Sequence, residues 1–313
     1  MTRVLFALAA ASLLAGCATF APQFSNGPPP RFEEPKPLSA GDAGVALVLS
    51  GGAARGYAHV GVIRVLEAHG LRPSIVVGSS AGSVVGALYA SGLSVDELEK
   101  AVSELGRGTF NDFVLPGFGF FPGERGLIKG DRLHRFIDDR VATHMIENFP
   151  IRFAAVATDL STGELQIFNA GDVGAAVRAS SSVPGIIAPA EIGGRMYADG
   201  QISSPVPVGA ARRLGARTVI AVDVIYPAED ALIYSALSVL FQTFTISVNR
   251  LKKFELAHAD LVIAPELPRT EGQMSFRDRE RLIAAGEKAA LDALEKLRPY
   301  FRAPQADTTR LER

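Results

Sequence analysis

Apolar residues along this chain keep two alternating rhythms. Unbroken runs such as Val45-Ala46-Leu47-Val48-Leu49-Ser50, Ile75-Val76-Val77, Arg152-Phe153-Ala154-Ala155-Val156-Ala157-Thr158, Thr218-Val219-Ile220-Ala221-Val222 and Leu261-Val262-Ile263-Ala264 have no polar face. They predict strands buried on both sides. Between them lie amphipathic stretches of helical period: Tyr57 to Glu67, stopped by Gly70; Pro205 to Leu214; and Arg277 to Leu297. Ser94-Val95-Asp96-Glu97 reads as a capping box opening another, to about Leu105. Leu165 to Phe168 is the neighbouring strand of the run at 152–158, Gly174 to Ala179 a short helix, and Arg195 to Ala198 a short strand-like piece. Strands alternating with helices predict an α/β fold, a three-layer α/β/α sandwich with a mainly parallel central sheet. Ligands of such sheets gather at the carboxyl ends of the strands. A helical stretch from Ala231 to about Leu256 begins with a charge-free run too short to span a bilayer and interrupted by Ser, Thr and Gln; it reads as a buried core helix, with contact with lipid as the alternative.

Composition adds little to the fold and more to the location. The 313 residues are 48% hydrophobic with a net charge of −1, so a large core is available and nothing suggests a nucleic-acid partner. Met1-Thr2-Arg3 followed by the apolar run Val4 to Leu14 has the form of a secretory signal. It ends in Leu14-Ala15-Gly16-Cys17, which resembles the lipobox of bacterial lipoproteins. Cys17 is the single cysteine, so no intramolecular disulfide forms and its evident use is lipid attachment. Acyl chains bury methylenes at about 0.8 kcal/mol each, enough for a stable anchor when several are present. The expected domains are therefore a signal peptide (1–16), a lipidated Cys and Pro-rich extended tether (17–44), one folded domain (45–300) and a flexible tail (301–313). Ala18, where an Asp commonly retains lipoproteins in the inner membrane, points by analogy to the outer membrane, facing the periplasm.

Candidate chemistry sits where two of the strands end. Ile75 to Gly78 runs into Gly78-Ser79-Ser80-Ala81-Gly82 and then into small, helix-compatible residues. Strand, sharp turn and helix are what a nucleophile elbow requires, with the helix N-terminus aimed at the reacting atom. Gly78 and Gly82 give the turn its freedom and leave room for a substrate carbonyl at Ser80. The first strand likewise runs into Gly51-Gly52-Ala53-Ala54-Arg55-Gly56 before a helix. Such a loop can cradle phosphate, but there is no Gly-Lys-Ser/Thr and the spacing is not G-x-G-x-x-G. Its N–H groups suit an oxyanion instead. Arg55 is either an anion-steering group or an ordinary loop salt-bridge partner.

The blocks from Ser50 to Val62, Gly78 to Gly82, Ala179-Ser180-Ser181-Ser182-Val183-Pro184-Gly185 and Tyr197-Ala198-Asp199-Gly200, in this order, resemble the bacterial patatin-like phospholipase family, including its neuropathy-target-esterase-like members. The likeness runs from about Val45 to the last helix. It implies a Ser-Asp dyad of Ser80 as nucleophile and Asp199 as general base, an oxyanion hole from the backbone of Gly51, Gly52 and Ala53, and motif positions at Arg55, Gly56, Gly78, Gly82 and Gly200. It implies a carboxylic ester hydrolase acting on phospholipid or another lipid ester, at a membrane; no cofactor is expected, and the sequence offers no metal-ligand cluster. Two departures stand out: Ala53 replaces the third glycine of the family's loop, and Gln201 follows Asp199-Gly200. A low-turnover lipid-binding or envelope-assembly scaffold and an acyltransferase are the competing readings.

The surroundings carry open alternatives. Thr109 to Lys129 holds Phe110, Phe113, Phe118, Phe120 and Phe121 among glycines and prolines without period. It is either a lid or acyl-chain wall, or a loop whose aromatics plug the core. Asp199-Gly200 taken alone is a hairpin turn. Of the five histidines only His258 lies downstream in the order of a Ser, Asp, His triad.

Overall fold

The computed structural model describes residues 27–39, 41–106, 109–110, 112, 125–230, 233, 235–268 and 278–302. Its strands are β1 (Val45–Leu49), β2 (Ile75–Ser79), β3 (Arg152–Asp159), β4 (Leu165–Phe168), β5 (Ala190–Ile192), β6 (Arg195–Asp199), β7 (Thr218–Val222) and β8 (Leu261–Ile263). Its helices are α1 (Tyr57–Ala68), α2 (Ala81–Ala90), α3 (Val95–Ser103), α4 (Asp131–Asp138), α5 (Val173–Ser180), α6 (Val208–Arg213), α7 (Ala236–Leu256) and α8 (Arg279–Leu297). One sheet runs β5-β6-β3-β2-β1-β7-β8, with β4 also on β3. The strands β1, β2, β3, β7 and β8 are parallel, while β4, β5 and β6 are antiparallel additions.

The sheet is buried on both faces, as the unbroken apolar runs require. Along β1, Val45, Leu47 and Leu49 face a core shared with α1, α2, α3, α4, α5 and α8. Ala46 and Val48 face a second core shared with α6 and Val248 of α7. The α1–α8 pair packs backbone to backbone: a Cβ on Gly61 would lie 2.0 Å from Ile283 O, and one on Gly286 2.0 Å from Ala58 O.

The register around β3 sets up everything that follows. β2 pairs Ile75 to Ser79 with Arg152 to Val156, and β6 pairs Asp199 to Tyr197 with Ala157 to Asp159. β4 takes the opposite edge from Ala155 to Thr158. β2 and β6 thus share one edge of the longer β3 and approach each other head-on. Their last residues, Ser79 and Asp199, stand opposite Val156 and Ala157, adjacent positions of β3.

Two expectations change and one alternative falls. Residues 27–39 of the expected tether lie against the domain: Arg31 exchanges backbone hydrogen bonds with Asn169 and Ala170, and Lys36 O accepts from Arg152 Nη2 at 2.6 Å. Prolines keep this pairing to one isolated bridge, Arg31 with Ala170. The helix expected to be core is α7, yet Val239, Leu240, Ile246 and Phe254 are exposed; only Thr245 and Val248 of its described side chains are buried, since α7 meets the sheet along one narrow stripe. Third, β5 and β6 form a hairpin through Gly193-Gly194, both at positive φ, which places the β-turn there and not at Asp199-Gly200. The signal run 1–16, Cys17, Phe113, Phe118, Phe120, Phe121 and the tail beyond 302 lie outside the described residues. Among the described residues no helix is long and apolar enough to cross a membrane.

Candidate active site

Ser80 follows the last residue of β2 and takes the N-cap place of α2 with φ 51° and ψ −120°. This is a strained conformation for a side chain with a Cβ, at a cost of order 1–3 kcal/mol that the surroundings must impose. The surroundings are tight enough to do so. A Cβ on Gly82 would lie 2.1 Å from Leu49 O, and one on Gly78 2.3 Å from Gly82 O. Ser80 makes no side-chain cap to its own helix, which leaves the hydroxyl for another partner.

That partner is Asp199. Ser80 Oγ donates to Asp199 Oδ2 at 2.7 Å, across a sequence separation of 119 residues. Asp199 Oδ1 accepts from Gln201 N at 2.8 Å, where the chain leaves β6 in a 3-10 turn (Gly200–Ile202). The two carboxylate oxygens are thereby divided, one fixing the side chain and one facing the serine. Asp199 is fully buried, and burial pushes its carboxyl up from 3.8 to about 7 against the lowering effect of the hydrogen bonds from Gln201 and Ser80.

Contacts from α5 and its C-terminal end hold both residues. Ser80 N donates to Ser180 Oγ at 3.0 Å, and Asp199 N donates to Ser182 O at 2.9 Å. Thr158 Oγ1 of β3 donates to Asp199 O at 2.9 Å. The Ala179 to Gly185 block was legible as a motif, but the positioning parts played by Ser180, Ser182, Thr158 and the Gln201 N–H were not. A fully polar Ser-Ser-Ser in a helical context was the available signal.

The glycine-rich loop lies beside the elbow. A Cβ on Gly56 would meet Ala81 Cβ at 2.8 Å, so the 3-10 turn Ala53–Gly56 presses on the start of α2. Gly52 is required because a Cβ there would fall 2.7 Å from Val224 O. Ala53 takes φ 49°, the left-handed region usually left to glycine, so the departure from Gly at this position changes the residue and not the backbone shape. Gly51 needs correction as an oxyanion donor: its N–H donates to Pro205 O at 3.2 Å and is committed within the fold. The N–H groups of Gly52 and Ala53 make no such bond among the described residues. Arg55 is buried, with its guanidinium over the Tyr226 ring at 5.4 Å. Gly200 closes the set, since a Cβ would lie 2.3 Å from Val156 O and 2.7 Å from Ser79 Oγ.

A narrow apolar cavity of about 70 Å³ opens from Ser80 between Ala53, Tyr57, Val84, Val102, Leu133 and Ile187, with Phe110 in its wall. A larger cavity of about 700 Å³ lies between β8 and α8 and contains none of these residues. No histidine reaches the pair. His258 turns its Nδ1 to Phe254 O on the exposed side of α7, which removes the triad alternative. His59 is buried with Nε2 2.9 Å from Ser50 O, and burial lowers its pKa to about 4, so it stays neutral and structural.

The site is thus an elbow serine at the carboxyl end of a parallel strand, beside a glycine-rich loop, in an α/β fold. Residues 47–212, just over half of the chain, match the family model described as patatin-like phospholipase, and the chain belongs to that family. An uncharacterised NTE family protein of Mycobacterium tuberculosis is 38% identical over 191 residues, 60% of this chain and 52% of that protein. Lysophospholipase NTE1 of Scheffersomyces stipitis is 33% identical over 190 residues, 58% of this chain and 12% of that protein. The chain thus spans about half the length of the mycobacterial relative and a far smaller part of the second. VipD from Legionella pneumophila aligns in structure with a TM-score of 0.49 at 15% identity, over 91% of this chain and 73% of that one.

Proposed function

We propose that this protein is a serine lipid acyl hydrolase working through a dyad of Ser80 and Asp199. The carrying observation is the 2.7 Å hydrogen bond from Ser80 Oγ to a fully buried carboxylate, with no histidine between them. Asp199, as the carboxylate, takes the proton of Ser80 as its oxygen attacks the ester carbonyl. The tetrahedral oxyanion develops beside the elbow, where the N–H groups of Gly52 and Ala53 are the donors left uncommitted; losing one such donor costs about 10²–10³ in rate. Collapse expels the alcohol, which takes the proton back from Asp199 and leaves an acyl-Ser80. Water then enters, gives its proton to Asp199, attacks the acyl carbon and releases the fatty acid as Ser80 regains the proton.

Family membership and the apolar cavity at Ser80 support a phospholipid, lysophospholipid or related lipid ester as substrate. The lipobox-like segment ending in Cys17 supports a lipid anchor in a bacterial envelope, with the outer membrane favoured by Ala18. Hydrolysis of phospholipid vesicles and of a short-chain chromogenic ester is the test. Ser80→Ala and Asp199→Asn should each lose at least about 10³ in kcat/KM, while His258→Ala keeps wild-type activity. A folded wild type inert on every ester, and unlabelled at Ser80 by a fluorophosphonate, sinks the hydrolase reading in favour of a binding scaffold.

A further inference from the structure

Outside the dyad, one buried cluster of polar side chains has no part in the proposed reaction. His134 and Asp138 lie one turn apart on α4, and Asp172 is the N-cap of α5, its Oδ1 accepting from Ala175 N at 2.7 Å. His144 joins from the preceding loop, tied to α5 by Val173 N donating to His144 O at 2.9 Å. His134 is 5% exposed, Asp138 7% and Asp172 0%.

Ion pairs join His134 to Asp138 and Asp172 and His144 to Asp138, but aligned hydrogen bonds do not. His134 Nε2 lies 3.2 Å from Asp138 Oδ2 and 3.1 Å from Asp172 Oδ1, yet is correctly aligned for a hydrogen bond with neither. His144 Nδ1 lies 3.5 Å from Asp138 Oδ1 and is also buried without a hydrogen bond. Two inward-facing imidazole nitrogens with no hydrogen bond are unusual, because buried polar atoms are nearly always satisfied by protein, water or an ion. One N–H cannot point at two carboxylates at once.

The distances suit a shared cation. Zinc bonds of about 2.0–2.2 Å set neighbouring ligand atoms of a tetrahedral site roughly 3.3–3.6 Å apart. The candidate atoms of His134, Asp138 and Asp172 all lie within 4.8 Å of one another, and the three N to O separations are 3.1, 3.2 and 3.5 Å. Without a metal the two carboxylates hold the His134 pKa up at about 9 against burial; with a metal bound the imidazoles would be neutral and a dication would balance the two carboxylates. The cradle is also closely built: a Cβ on Gly174 would lie 2.2 Å from His134 Cδ2 and 2.4 Å from Asp138 Oδ1.

We propose that His134, Asp138 and Asp172 hold a divalent transition-metal ion, Zn²⁺ by donor set, and that His144, which stands outside this close group beside Asp138, moves in as the fourth ligand when the ion binds. Four protein ligands make a closed, structural site. His144, whose side chain is 39% exposed, gives the ion its way in. The ion fastens α4 and the His144 loop to the first turn of α5, whose last residue, Ser180, accepts the hydrogen bond from Ser80 N. It acts on the fold and takes no step in ester cleavage.

The test is metal binding by the full chain, purified without chelator or histidine tag. Metal analysis should find close to one equivalent of zinc. The chelated protein should take up one Co²⁺ with the visible bands of tetrahedral cobalt, which Zn²⁺ then displaces. His134→Ala and Asp172→Asn should each weaken Co²⁺ binding more than tenfold, His144→Ala less, and chelation should lower the wild-type Tm by about 5 °C or more. Wild-type protein that carries no stoichiometric metal and gives no cobalt spectrum overturns the proposal whether or not the variants fold. None of these readouts depends on ester hydrolysis.

Discussion

At Asp199 the energetics of one side chain bear on both the proposed activity and the stability. Its carboxyl titrates at about 7 in the fold against 3.8 for the free side chain, because burial penalises the charge. The proposed mechanism needs the carboxylate, so kcat/KM should rise about tenfold per pH unit below 7 and level off above it. A pH profile flat from 5 to 8 would rule Asp199 out as the base. Stability runs the other way. The folded form takes up a proton between the two pKa values, so stability falls as pH rises through 3.8 to 7, by roughly 4 kcal/mol at most once the group is ionised. Asp199→Asn should therefore unfold at higher urea than wild type at pH 8, with the gap closing towards pH 4. Ser180 is a different case, since its Oγ is the acceptor for Ser80 N. Ser180→Ala strands a buried N–H at a cost of about 1–3 kcal/mol and loosens the elbow, so kcat should fall at least about tenfold with KM nearly unchanged.

At the scale of elements, the site is a junction of three chain turns pressed together by glycines. The elbow after β2, the loop after β1 and the turn after β6 meet where a Cβ on Gly56, Gly82 or Gly200 would strike a neighbour at 2.1–2.8 Å. Ala53 is the one loop position that carries a Cβ at left-handed φ. Ala53→Gly should relieve about 1 kcal/mol of strain and leave kcat/KM within about threefold of wild type, read by chemical denaturation and ester turnover. Loss of activity there would mean that the methyl group itself shapes the cavity, which it lines.

For the whole molecule, the proposed lipid anchor and the catalytic fold are separable. Cys17 lies ahead of the described residues, and residues 27–39 already lie against the domain. Less chain is thus free to act as a tether than the proline content suggested. Cys17→Ser should move the protein from the membrane to the soluble fraction while turnover of a soluble short-chain ester stays at wild-type level. If the variant stays in the membrane fraction, the exposed apolar residues of α7 become the next place to look for membrane contact.

The sequence by itself determined what is local. Unbroken apolar runs gave the parallel strands, the capping box at Ser94 formed as written, and the strand-turn-helix around Ser80 and the glycine-rich turn after β1 were readable from spacing. These depend on backbone freedom and burial within a dozen residues. Asp199 was marked by family resemblance, since Asp-Gly alone reads as a hairpin. Only the tertiary structure decided what it meets: β6 runs antiparallel down the same edge of β3 that β2 climbs, and the ends of the two strands meet. The same register gave Ser180 and Ser182 their partners and committed Gly51 N–H to Pro205. Packing of α4 against the start of α5 gathered His134, Asp138, His144 and Asp172 into one cluster. Hydrogen bonds between residues a hundred positions apart are fixed by strand pairing and helix packing, which no local pattern encodes.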